Sequence, residues 1–141
     1  MLRFIYPVRL KRERKGGYVV TCRDLPEAIT QGEGIEDALS EAAGALQAAI
    51  EGRIEDGLPI PSPSRARLGE RLAATPVTTA LKAAVYLAMR EQGVSKSELA
   101  RRMQVHEKEA RRMLDPGHPT KVPTLERALA ALGRRAEVAV G

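Results

Sequence analysis

Ser95-Lys96-Ser97-Glu98-Leu99-Ala100-Arg101-Arg102-Met103-Gln104-Val105-His106-Glu107-Lys108-Glu109-Ala110-Arg111-Arg112-Met113 is the stretch that decides the architecture of the second half of the chain. Ser95 is a favoured N-cap residue, and Glu98 follows at the spacing of a capping box. A short helix is therefore predicted over Lys96–Met103. After Gln104-Val105 a second helix is predicted from about His106 to Leu114, ended by Asp115-Pro116-Gly117. Ala100 is small where the second helix must pass close to the first. Met103, Val105, Ala110 and Met113 are the apolar positions that hold the two at a steep angle. The steps Ala100 to Val105 (five), Val105 to Ala110 (five) and Ala110 to Met113 (three) are those of a helix-turn-helix. The turn position usually held by glycine is Gln104, which is expected to take a left-handed or strained conformation.

Working outward, Thr78 or Thr79 is expected to cap a helix running to about Gln92, with Leu81, Ala84, Val85 and Ala88 inward and Gly93 as the stop. Thr124 is expected to cap a last helix, Leu125–Leu132, ended by Gly133, with a short tail strand over Ala136–Val140. The order Ser95-x-x-Glu98-Leu99-Ala100, then Val105, Thr124-Leu125 and Leu129-Ala130-Ala131-Leu132-Gly133 resembles the phage-repressor-like helix-turn-helix family.

Charge agrees with that reading without proving it. Residues 1–62 carry 8 Lys/Arg and 10 Asp/Glu, whereas residues 63–141 carry 15 and 8, so the second half alone suits a polyanion. On charge alone, a solvated helix surface is an equal explanation. On the motif, His106, Glu107 and Lys108 stand where side chains reach base edges, with Arg111 and Arg112 one turn later. Lys96, Arg101, Arg102 and Lys121 are the candidates for backbone phosphates. His106 reads as a cap or phosphate contact. With His118 the only other histidine, there is little case for zinc.

The first half alternates. Phe4, Tyr6, Val8 and Leu10 share one face of an extended chain, and Tyr18, Val20 and Cys22 share one face of a second, across the polar turn 13–17. Pro7 requires that the first strand be an edge or pair at Pro7 on one side only. Ala28–Gln31 is expected as a short third strand. From Ile35 the period becomes helical, with Leu39, Ala42, Ala43, Leu46, Ala49 and Ile50 in one stripe and Glu36 and Asp37 in the first turn. Gly57 and Pro59 end that helix, and a short strand is expected near Leu58–Ile60. Pro59, Pro61 and Pro63 with Ser62 and Ser64 read as an extended spacer, followed by a short helix through Leu68 and Leu72. The expectation is an α+β chain: a β-β-β-α-β module over 1–60, a Pro/Ser-rich and charged linker over 61–76, and a helical module over 77–141.

With 141 residues, a large multidomain enzyme is excluded. No apolar run reaches the ~18 residues that span a bilayer, and the N-terminus lacks the apolar core of a signal peptide, so a cytoplasmic protein is expected. Cys22 alone makes no intrachain disulfide and reads as a small buried strand residue. No acid, base, nucleophile or phosphate loop forms a catalytic set, and Asp24 beside Pro26 reads as a turn residue. No enzyme activity and no cofactor are expected.

The order Tyr18-Val19-Val20, Asp24-Leu25-Pro26, Thr30-Gln31-Gly32-Glu33, Glu36-Asp37-Ala38-Leu39 and Ala42, with the exit Pro59-x-Pro61-Ser62-Pro63-Ser64, resembles the HicB antitoxin family. The family often has glycine after Asp-Leu-Pro, where this chain has Glu27. The resemblance implies a partial RNase-H-like first module without nuclease residues. It also implies a small basic HicA-like toxin, a ribonuclease acting on mRNA, as partner. It further implies repression of the operon by operator DNA binding, by a homodimer or homotetramer. Asp24, Glu27, Glu33, Glu36 and Asp37 are then the residues to test for toxin contact, since a mildly acidic module suits a basic partner. The rival reading is a ligand-responsive helix-turn-helix regulator with a small α/β sensor domain.

Overall fold

The computed structural model describes all 141 residues. The alternation in the first half produces β1 (Ile5–Arg12) and β2 (Tyr18–Thr21), an antiparallel hairpin in which Arg12 faces Tyr18 and Arg9 faces Thr21. β3 (Thr30–Gly32) pairs with β2, and α1 (Ile35–Asp56) follows at once. Glycine is required at 32, because a Cβ there would lie 2.5 Å from the backbone nitrogen of Ala38. Ala38, Ala42, Leu46, Ala49, Ile50 and Ile54 form the buried stripe of α1, with Leu39 and Ala43 half-buried at its margin.

The fourth strand is not at Leu58–Ile60. It is β4, Glu70–Ala74, inside the stretch 61–76 expected as a linker, and no helix runs through Leu68 and Leu72. β4 pairs antiparallel with β1, from Ile5 facing Ala74 to Arg9 facing Glu70, giving the sheet order β3-β2-β1-β4. The pairing of β1 with β2 begins only at Arg9, so Pro7, opposite Leu72, has a partner on one side alone. The Pro/Ser segment is strapped down rather than free: Tyr6 Oη donates to Pro61 O at 2.8 Å, and Asp24 accepts from the Ser64 amide at 2.9 Å and from the Ser64 hydroxyl.

The second half is helical: α2 (Val77–Gln92), α3 (Lys96–Met103), α4 (Glu107–Leu114) and α5 (Val122–Ala131). Two starts differ from expectation. α2 begins at Val77 with Pro76 as N-cap rather than at a threonine cap, and α5 begins before Thr124, with Lys121 as N-cap and Pro123 in the first turn. Residues 136–140 form no strand. Gly93 ends α2 as expected, at φ 65°. Buried apolar side chains from Tyr6 on β1 through Leu46 on α1 and Val85 on α2 to Leu125 on α5 make one continuous core.

Candidate functional site

The two short helices of the second half are built as their sequence dictates. Ser95 caps α3 by accepting the Glu98 amide at 3.1 Å. Gln104 sits left-handed at φ 59°, ψ 42°, and the Val105 amide reaches back to Ala100 O at 3.0 Å, closing the turn. His106 Nδ1 accepts the Lys108 amide at 3.1 Å and so caps α4. Leu99, Ala100, Ala110 and Met113 are buried, while Met103 and Val105 pack at the edge of the core. α5 lies against both α2 and α3.

The exposed side chains of this pair fall into two groups. Arg101 and Arg102 both engage Glu98, Arg102 at 3.0 Å, and Arg111 engages Glu107 at 2.6 Å. These guanidiniums hold the Glu98 and Glu107 carboxyls below the usual carboxylate range. Lys96, Lys108, Arg112 and Lys121 are exposed and make no ion pair. Along α4, therefore, Lys108 and Arg112 are the cations free to meet a ligand, and Glu107 serves Arg111.

The five acids singled out in the first half separate likewise. Asp24 holds Ser64, and Glu27 forms a two-point ion pair with Arg53 of α1 at 2.6 and 2.9 Å, which lowers the Glu27 pKa. Both side chains are thus engaged in fixing loops to the sheet and helix. Asp37 accepts the Glu33 amide at 2.9 Å. Glu33, Glu36 and Asp37 gather at the start of α1 and line a shallow concavity with Arg12, Tyr18 and Ile35. No three His, Cys, Asp or Glu side chains gather to hold a metal ion. Cys22 is buried just beyond β2, and burial pushes its thiol pKa up, away from the reactive thiolate.

The family model described as a HicB-like antitoxin of bacterial toxin-antitoxin systems matches residues 5–84. The chain belongs to the HicB-like antitoxin family. It is 36% identical over 135 residues to Antitoxin HicB 1 of Photorhabdus laumondii, covering 96% of this chain and 86% of that one. It is 35% identical over 129 residues to Antitoxin HicB of Escherichia coli strain K12, covering 92% and 94%. It is 34% identical over 124 residues to Antitoxin HicB of Pseudomonas fluorescens, covering 87% and 85%.

As a HicB-like antitoxin, the chain is a component of a toxin-antitoxin system with a toxin as partner, and is not an enzyme in that role. No helix is long and apolar enough to cross a membrane. The matched span 5–84 runs through β4 and into α2, in keeping with β4 being a strand of the antitoxin's sheet. One residue that sequence reasoning missed is Lys82. It stands among the inward positions of α2, is 3% exposed, and donates to the carbonyls of Asp115 at 3.0 Å and His118 at 2.8 Å. Its only sequence signal is a lysine one residue from Leu81 on the apolar side of a helix.

Proposed function

We propose that this HicB-like antitoxin has two functions. The sheet with α1 neutralises a HicA-like mRNA-cleaving ribonuclease, and α3–α4 act as a phage-repressor-like helix-turn-helix that binds operator DNA and represses the operon. The observation that carries the first part is the family match across the sheet and α1; this reading takes that module to be of the partial RNase-H-like kind. For the second part it is the capped α3, left-handed Gln104 and capped α4, with Lys108 and Arg112 unpaired on the outer face. Glu33, Glu36 and Asp37 are the toxin contact this reading favours, since Asp24 and Glu27 already have intramolecular partners. Lys96 and Lys121 meet phosphates, with Arg101 and Arg102 beside them. His106, Lys108 and Arg112 face the bases, Glu107 orienting Arg111. Two copies read two half-sites about one helical turn apart, in a cytoplasmic homodimer or homotetramer.

A short, basic open reading frame is expected beside the gene. Growth arrest on expressing it, relieved by the full chain, is the outcome expected. Arrest that persists with the full chain present overturns the toxin half. For the DNA half, binding to the operon's own promoter must be tighter than to random duplex of equal length; equal affinities overturn it.

A further inference from the structure

α2 carries Lys82, Tyr86 and Arg90 at i, i+4 and i+8, a single stripe of the helix. All three donate to backbone carbonyls outside α2, and those carbonyls come from two separate parts of the chain. Tyr86 Oη donates to Leu58 O at 2.8 Å, and Arg90 Nη1 to Gly57 O at 2.8 Å. These carbonyls lie just past α1, where Gly57 turns left-handed at φ 69° and the negative end of the helix dipole favours a cation. Arg90 also lies over the Tyr86 ring, 5.4 Å from its centroid, and donates to its hydroxyl at 3.1 Å. One turn earlier on α2, Lys82 Nζ binds Asp115 O and His118 O, the carbonyls of the loop that leaves α4. A buried ammonium is costly unless hydrogen-bonded, so this loop is held where those carbonyls meet it.

We propose that Lys82 is a positioning residue for DNA recognition: with Tyr86 and Arg90 it fixes α4 on the end of α1, so that the sheet and α4 move as one body. The part concerning DNA rests on the function proposed above; the fixing of the two modules does not. The continuous core that runs from β1 to α5 supports the same arrangement. A toxin seated on the sheet is then held at a set place relative to the DNA rather than tethered by a loose linker. Lys82 itself is too buried to reach a phosphate.

The test uses the full chain. Residual dipolar couplings from amides of the sheet with α1, and from α3–α5, fit one alignment tensor in the wild type. In the double variant Tyr86→Phe, Arg90→Gln they split into two. Two tensors in the wild type overturn the proposal. Lys82→Met keeps the side-chain stem and removes the charge; amides of residues 115–120 then exchange faster while those of α1 do not change. The same variant binds operator about tenfold more weakly, the loss expected of a displaced base contact, with random duplex unaffected. Its salt slope stays that of the wild type. A slope lower by about 0.9 means that Lys82 meets a phosphate, and this or an unchanged operator-to-random ratio overturns the positioning role. Where the wild type shows no preference for operator, the DNA reading fails and the tensors still decide the coupling. Should Lys82→Met not fold, Lys82→Gln carries the same DNA measurements.

Discussion

Arg23, just past the end of β2, grips Glu70, the first residue of β4, with Nε 3.0 and 3.2 Å from the two carboxylate oxygens and Nη2 2.9 Å from one of them. The pair spans the sheet around β1, and Arg23 also donates to Arg65 O at 2.6 Å while Glu70 accepts the Arg67 amide at 2.7 Å. One carboxylate therefore orders both the approach to β4 and its first residue. The guanidinium, then the Arg67 amide, hold the Glu70 pKa down to about 2.

That shift gives a pH dependence with a defined sign. Glu70 is depressed in the folded state, so its stabilisation is complete above the ordinary glutamate value of about 4.3. It is lost as pH falls through that value towards about 2. Glu70→Gln is expected to lower the urea midpoint at pH 7. The gap to the wild type should narrow across that window and vanish at its acid end. A gap that is constant from pH 7 to 2 refutes the ion pair as its source.

Tyr6→Phe tests the strap. The hydroxyl is buried and donates to Pro61 O at 2.8 Å. Burial, then the nearby Asp24 carboxylate, push its pKa up to about 12, so it stays protonated and a donor throughout the ordinary range. Its loss should cost about 1 kcal/mol and raise proteolytic cleavage within 61–69. Equal cleavage of the two proteins would show that the strap does not depend on this bond.

The hairpin and α1 are legible in the sequence because Tyr6, Val8 and Val20 alternate and Ala42, Leu46, Ala49 and Ile50 recur at helical spacing. β4 is not legible. Its sequence Glu-Arg-Leu-Ala-Ala is poor in strand formers, and only Ala73 is buried. Pairing with β1 decides its conformation, which no window of local sequence reports. The nearby prolines reinforce the linker reading, yet Tyr6 and Asp24, far away in sequence, fasten that segment. The same distance hides the partners of Glu27 and Asp24, which lie 26 and 40 residues away. Spacing and caps reveal α3, Gln104 and α4 because those signals are local. Lys82 escapes because its meaning depends on carbonyls 33 and 36 residues along the chain.

On the proposed function, Arg112→Ala and Lys96→Ala separate base reading from phosphate contact. Both side chains are exposed and unpaired. Loss of Arg112 should cost about 1–3 kcal/mol at its own base pair and relax specificity there, whereas loss of Lys96 should weaken all sequences alike and lower the salt slope by about 1. Titrations of operator, single-base variants and random duplex at several salt concentrations distinguish the two. Indistinguishable profiles would remove the assignment of roles.

Gln104→Gly probes the turn itself. Gln104 is the one non-glycine residue at positive φ, 59°. A Cβ in that region costs about 1–2 kcal/mol, and glycine removes the cost while giving back part of it as unfolded-state entropy, so the variant should be more stable by up to about 1 kcal/mol. The side chain is exposed, so no packing is lost to offset the gain. Thermal unfolding of the two proteins measures this directly. A variant that melts lower than the wild type would mean that Gln104 makes a stabilising contact outweighing its backbone strain. On the proposed function, operator affinity should not change, because the Ala100–Val105 hydrogen bond that closes the turn is made by backbone atoms alone.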